Sequence, residues 1–178
     1  MKKKTFNTIL KIAGVNAAVL ITGVVVLECI FGNWFNPNRM YRLHVKRNIE
    51  YSYPIDDLYE APYDTAVYRR DRYGFRGDYN DVSDIDILTI GGSTTDQKYI
   101  PEGATWQDVM AGELRDQGIV VDIANAGIDG QTSYGHIKNF DWWFPCIKDL
   151  GVHYFLFYIG INDLWADHHS PFRGLLDD

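Results

Sequence analysis

Three short clusters in the second half of the chain carry groups suited to acyl chemistry. Gly91-Gly92-Ser93-Thr94-Thr95 offers a hydroxyl nucleophile, Asn125-Ala126-Gly127 a backbone N–H that no side chain screens, and Gly160-Ile161-Asn162-Asp163 a carboxamide donor. A serine between a strand and a helix start is exposed, and the helix amino end favours a developing negative charge. The N–H of Gly127 can approach a substrate oxygen closely, and the amide of Asn162 adds a further donor. Together they would form an oxyanion hole for a tetrahedral acyl intermediate, in which one donor is worth about 3 kcal/mol. Each cluster alone is weak, because Gly, Ser and Asn favour loops in any case.

The clusters gain weight from the elements that precede them. Ile85 to Ile90 is a short, β-branched, nearly apolar run that stops at Gly91-Gly92 and reads as a buried strand. Residues 105–117 place Trp106, Val109, Met110 and Leu114 at helical spacing, with a capping-box-like start at Thr105 and Asp108 and a stop at Gly118. Ile119 to Ala124 reads as a second strand. Residues 132–149 put Tyr134, Ile137, Phe140, Phe144 and Ile147 on one helical face, and Pro145 should kink or shorten that helix. Val152 to Ile161 reads as a third strand, apolar enough to be covered on both faces. The order β-α-β-α-β predicts right-handed crossovers and a parallel sheet. Ligands of such sheets bind beyond the carboxyl ends of the strands, where all three clusters fall.

In order and spacing, Gly91-Gly92-Ser93, Asn125-Ala126-Gly127 and Gly160-Ile161-Asn162-Asp163 resemble the first three blocks of the SGNH (GDSL-type) hydrolases. Gly74-Phe75-Arg76-Gly77 resembles a subset of these proteins that is often membrane-anchored. The likeness covers about residues 68–165, and its third block is the most specific. It implies a flavodoxin-like, three-layer α/β/α fold with a parallel sheet. It also implies Ser93 as nucleophile, with the Ser93 N–H, the Gly127 N–H and the Asn162 side chain as oxyanion hole. Where the family often reads Gly-Asp-Ser, this chain has Gly92 in place of the aspartate. Other motifs fail: Thr95 stands where the G-x-S-x-G elbow needs glycine, no Gly-Lys-Ser/Thr follows for a P-loop, and Gly127 to Gly135 spells no dinucleotide fingerprint.

The family's general base, a histidine in Asp-x-x-His, finds no match. His44 lies in the linker, His136 in the second helix and His153 at the wrong end of the third strand. Asp167-His168-His169 lacks the spacing, and reads as polar loop residues. The resemblance places the histidine after further strand–helix units, so the chain is expected to be the amino-terminal part of a longer domain, with little esterase activity as it stands. The implied activity is a membrane-anchored serine esterase acting on acyl esters, acylated envelope glycans among them. Two alternatives stay open: an O-acetyltransferase acting on extracellular polysaccharide, and an inactive tethered glycan-binding or interaction module. No cofactor and no metal site is predicted, the His168-His169 pair having no third ligand at a clear spacing.

The whole chain has 178 residues, with 46% hydrophobic, 15% aromatic and 23% charged, values that exclude wholesale disorder. Its net charge of −7 divides unevenly. Residues 1–50 hold eight Lys/Arg against two Glu (+6), and residues 51–178 hold nine against 22 Asp/Glu (−13). The acidic part argues against a nucleic-acid footprint. Residues 1–35 read as an anchor, with a transmembrane span at about 9–31. The twenty residues from Ile12 to Phe31 make a helix about 30 Å long, the thickness of a bilayer core. No small-x-small cleavage site follows, and no small residue precedes Cys29. Lys2, Lys3, Lys4 and Lys11 nearly balance Arg39, Arg42, Lys46 and Arg47, but they lie closer to the span. They predict a cytoplasmic amino terminus and an external body. Residues 36–82, with eight of the twelve tyrosines, read as an extended, partly packed connector, in which Gly74 and Gly77 flank a turn that plugs Phe75 into the core. Residues 83–178 form the hydrolase-like domain. Cys29 and Cys146 are not expected to pair.

Overall fold

A computed structural model describes residues 2–32, 34, 40, 43, 45–58 and 63–165. The readings made for His44, for His168 and His169, and for residues 166–178 lie outside the described residues. The chain divides into two compact units, Met1–Pro37 and Asn38–Asp178.

The first unit is built on α1 (Lys2–Phe31), 30 residues long. Within it Phe6–Phe31 has a mean hydropathy of 2.1 and no buried share. It is apolar all round and exposed all round, as a membrane span or a signal sequence would be, and long enough to cross a bilayer.

The second unit contains two sheets. Strands β1 (Ile49–Pro54) and β2 (Thr65–Arg70) pair antiparallel, from Ile49 opposite Arg70 to Pro54 opposite Thr65. This hairpin lies inside the stretch read from sequence as a connector without period. In β2 the alternation is present, since Ala66, Tyr68 and Arg70 are buried, but it is carried by a phenol and a guanidinium. A hydrophobic pattern does not register those two groups.

The larger sheet is parallel, with β3 (Ile85–Gly91) between β4 (Ile123–Asn125) and β5 (Val152–Tyr158). Strand β4 is shorter than expected. The Asp122 N–H is taken by the Asp86 side chain at 2.8 Å, so the ladder begins only beyond it. Helix α3 (Trp106–Asp116) opens with the expected capping box, the Thr105 side chain accepting from the Asp108 N–H and the Asp108 carboxylate from the Thr105 N–H. Helix α4 (Ser133–Trp142) ends before Pro145 and gives way to a 3₁₀ turn at Phe144–Cys146. Proline, lacking an N–H, cannot continue the helical ladder.

The two helices cover opposite faces of the sheet. Gln107 of α3 donates to Thr89 Oγ1 at 3.1 Å, and Thr89 pairs in register with Leu156. Phe140 of α4 packs on Phe155 and Phe157, which flank Leu156 and point to the other side.

Two expectations about burial are corrected. Of the face read over residues 132–149, Phe144 and Ile147 are buried while Tyr134, Ile137 and Phe140 are exposed, and the buried residues within α4 itself are Gly135, His136 and Asn139. The inward face is polar because Asn139 trades two hydrogen bonds with Gln131, at 2.9 and 3.1 Å. Strand β5 is not covered on both faces. Among the described residues it pairs with β3 alone, and Tyr154, Phe155, Phe157 and Tyr158 stay exposed. The core centres on Phe75, Ile85, Leu88, Ile90, Trp143 and Phe144. Phe75 is the expected plug: Gly74 (φ +90°) and Gly77 (φ +107°) set its turn, and its ring lies 5.2 Å from that of Trp143. Cys29 and Cys146 are both free thiols.

Candidate functional site

The site is organised by the switch point of the parallel sheet. From β3 the chain crosses to β4 on one side and then to β5 on the other, which leaves a crevice beyond the carboxyl end of the central strand. There β3 ends at Gly91 and the single-turn helix α2 (Ser93–Asp96) begins.

The turn is tight enough to require both glycines. A Cβ on Gly91 would overlap Thr95 Oγ1 and lie 2.5 Å from the Tyr158 carbonyl oxygen. A Cβ on Gly92 would overlap Asn162 Nδ2. Ser93 stands at the first helical position and is exposed. Its N–H therefore has no acceptor within the helix and is available to a ligand. With only four residues, α2 adds little macrodipole, contrary to the sequence expectation, so local N–H groups must supply the positive potential.

Asn162 lies in the 3₁₀ turn Ile161–Trp165 that follows β5. One hydrogen of its amide goes to the Gln131 carbonyl at 2.9 Å, and the amide rests against Gly92, beside Ser93. The other hydrogen is left for a ligand. Asp163 fixes the same turn from the next position, accepting from Ser133 N–H at 2.9 Å and Ser133 Oγ at 3.0 Å.

Gly127 is also drawn to α2, but for a different reason from the one its position suggested. A Cβ there would overlap the Asp96 backbone nitrogen, so the glycine permits two backbones to touch. Its N–H donates to Asn125 Oδ1 at 2.8 Å and is not free for a substrate oxygen. Gly130, at φ +74°, has open space around its α-carbon and directly precedes Gln131, whose carbonyl holds Asn162.

Two arginines that sequence reasoning did not assign hold this assembly together. Arg70 of β2 is buried with Asp96, Nη2 to Oδ1 2.6 Å, and it also donates to the carbonyls of Gly74 and Gly127 and to the Tyr68 hydroxyl. Tyr68 in turn donates to Asp96 Oδ1 at 2.8 Å. Burial lowers the proton affinity of Arg70, but Asp96 and Tyr68 outweigh it and the net shift is upward. Burial also pushes the Tyr68 phenol up to about 12. Arg76, between the turn glycines, donates to the Asp96, Gln97 and Ile100 carbonyls and pairs with Glu102 at 2.9 Å. The one legible signal for Arg70 was its place two residues after Tyr68 in the strand alternation.

No protein-family model matches this chain, and no curated protein matches it significantly.

Among the described residues, neither His136 nor His153 is hydrogen-bonded to Ser93. Neither ring nitrogen of His136 has a hydrogen-bond partner among the described residues, and burial pushes its pKa down to about 4, against a smaller upward pull from Asp163. His153, near the start of β5, contacts Asp86 Oδ1 at 3.1 Å. His153 is level with Asp86, so the end of β3 at Gly91 is about 17 Å away at the rise of a strand, and Ser93 lies beyond it.

Proposed function

We propose that this chain is a serine ester hydrolase of the SGNH type, held at a membrane by its first helix. The observation that carries the reading is the contact of the Asn162 amide with Gly92, which sets a carboxamide donor beside an exposed serine at the switch point of a parallel sheet. In this reading Ser93 Oγ attacks the ester carbonyl, and its C–O π electrons move onto the carbonyl oxygen. The Ser93 N–H and the free hydrogen of Asn162 Nδ2 receive that oxyanion. With the Gly127 N–H committed to Asn125, the reading rests on those two donors. Collapse of the intermediate expels the alcohol and leaves an acyl-serine for water to cleave.

The proton of Ser93 needs an acceptor, and among the described residues no histidine is hydrogen-bonded to this serine. Oxyanion hole and substrate binding without a complete triad still give about 10³–10⁴-fold over water. The test is p-nitrophenyl acetate turnover by the full chain in detergent, with and without added imidazole as an external base. Turnover that imidazole raises and Ser93→Ala removes supports the reading. Asn162→Ala is expected to lower that turnover about 10²–10³-fold. Equal rates for wild type and Ser93→Ala, with and without imidazole, overturn it.

A further inference from the structure

A cavity of about 320 Å³ opens at the far end of the same single-turn helix. Its lining includes Lys46, Tyr68, Arg70, Asp96, Lys98 and Asp129. Asp96, which lines it, is the last residue of α2 and Ser93 the first, so the backbones of the two are about 5 Å apart along the helix axis.

The charges of the cavity are not equivalent. Arg70 at its floor is neutralised by Asp96, and its donors are spent on Asp96, Tyr68 and two carbonyls. Lys46 and Lys98 have no ion pair of this kind, although Lys98 donates one hydrogen bond to the Tyr99 hydroxyl. The Lys46 ammonium stands 5.5 Å from the Tyr51 ring centre, and that of Lys98 stands 5.0 Å from Tyr53 and 5.2 Å from Tyr99. Aromatic faces hold an ammonium in place without supplying a counter-charge. The tyrosines are themselves braced edge to face, Tyr53 against both Tyr68 and Tyr99. Burial lowers the pKa of Lys98, but Tyr53, Tyr99 and, least of them, the carboxylate of Asp129 on the loop after β4 raise it, and the net shift is upward. Lys46, from the basic first fifty residues, and Lys98, from the part that carries −13, meet at one cavity.

We infer that this cavity binds an oxyanion, a carboxylate or a phosphate, carried on the alcohol part of the ester, with Lys46 and Lys98 as its recognition groups. The inference rests on the hydrolase reading for its placement beside the reacting bond, and it narrows the substrate to acidic esters. Asp129 weakens the site by competing for Lys98.

The test is calorimetric binding of glucuronate, glucose 6-phosphate and glucose to the full-length Ser93→Ala chain in detergent. At least one of the two acidic sugars is expected to bind about tenfold more tightly than glucose, and the stronger of them identifies carboxylate or phosphate as the source. Lys46→Met and Lys98→Met should each weaken that binding about fivefold, and Asp129→Asn should strengthen it. Equal affinity for all three sugars, or unchanged affinity in the Lys46→Met/Lys98→Met double variant, overturns the inference. Because Ser93 is absent from these measurements, binding without Ser93-dependent turnover in the wild type would sink only the hydrolase reading. Turnover without acid-selective binding would sink only this one.

Discussion

Gly127 shows how one residue type answers to two physical demands. From its sequence it is a glycine with an open N–H at a strand end, a good oxyanion donor. In the fold its N–H is bonded within its own loop, and its missing side chain is what lets that loop lie against Asp96. The two roles separate on substitution. An oxyanion donor works through its N–H, which alanine retains, so Gly127→Ala would then leave stability unchanged. A close-approach glycine fails as soon as a methyl group appears, because the neighbour is backbone and cannot rotate away. Gly127→Ala is therefore expected to destabilise the chain by about 3 kcal/mol, the upper part of the range for overpacking. A fall in the urea midpoint measures it. Gly130→Ala is the control: open space surrounds that position, so the cost there is confined to the positive φ, about 1 kcal/mol.

At the scale of elements, the parallel sheet was legible and the hairpin was not. Ile85 to Gly91 is read correctly because an apolar, β-branched run that ends in Gly-Gly has few other uses. Helix α3 is read correctly because its capping box is written in adjacent residues. The hairpin escapes because its inward positions include Tyr68 and Arg70, whose burial depends on Asp96, 26 residues beyond Arg70. The face read over residues 132–149 is right for Phe144 and Ile147, which enter the core, and for Phe140, which packs on β5, but it misses the buried Asn139 for the same reason, since Gln131 and Asn139 satisfy each other inside. Non-local polar pairing leaves no periodic trace. It does leave an energetic one. Arg70→Met strands Asp96 in the interior and is expected to cost about 3–5 kcal/mol, while the Arg70→Met/Asp96→Leu double variant should recover much of that. A double-mutant cycle in urea checks the coupling.

The inward face of α4 carries a pH dependence of defined sign. His136 is buried next to Asp163 with its pKa lowered from 6.5 to about 4, burial being the larger influence. Between those two values the unfolded chain binds a proton that the folded chain refuses. Stability is therefore fully present above about pH 6.5 and is lost as the pH falls toward 4. Wild type should lose about 2 kcal/mol more than His136→Gln between pH 7 and pH 4.5, read from urea midpoints. If the variant does not fold, the imidazole of the wild type can be followed directly by NMR. Titration of that ring above pH 6 would contradict the assignment.

For the whole molecule, the two units differ in charge: residues 1–37 hold four Lys against one Glu (+3), and residues 38–178 hold 13 Lys/Arg against 23 Asp/Glu (−10). A helix that is apolar on every side and nowhere buried has no stable place in water, whereas the second unit closes a core around Phe75 and Trp143. Two uses of such a helix make different demands on the chain. A signal sequence is removed, and the protein recovered from the cell is lighter by that segment. An anchor stays, and the second unit, with the proposed nucleophile Ser93, then remains attached to the membrane. The anchor is the use expected here, because Glu28 and Cys29 stand where a cleavage site would need small residues. Membranes washed with alkaline carbonate should retain the intact chain, with an intact mass that includes Met1–Pro37. A form starting at Asn38 should be released. Recovery of wild-type protein in the wash at the shorter mass would exclude the anchor. It would leave the proposals for Ser93 and for the Lys46/Lys98 cavity standing, because the residues of both lie in the second unit.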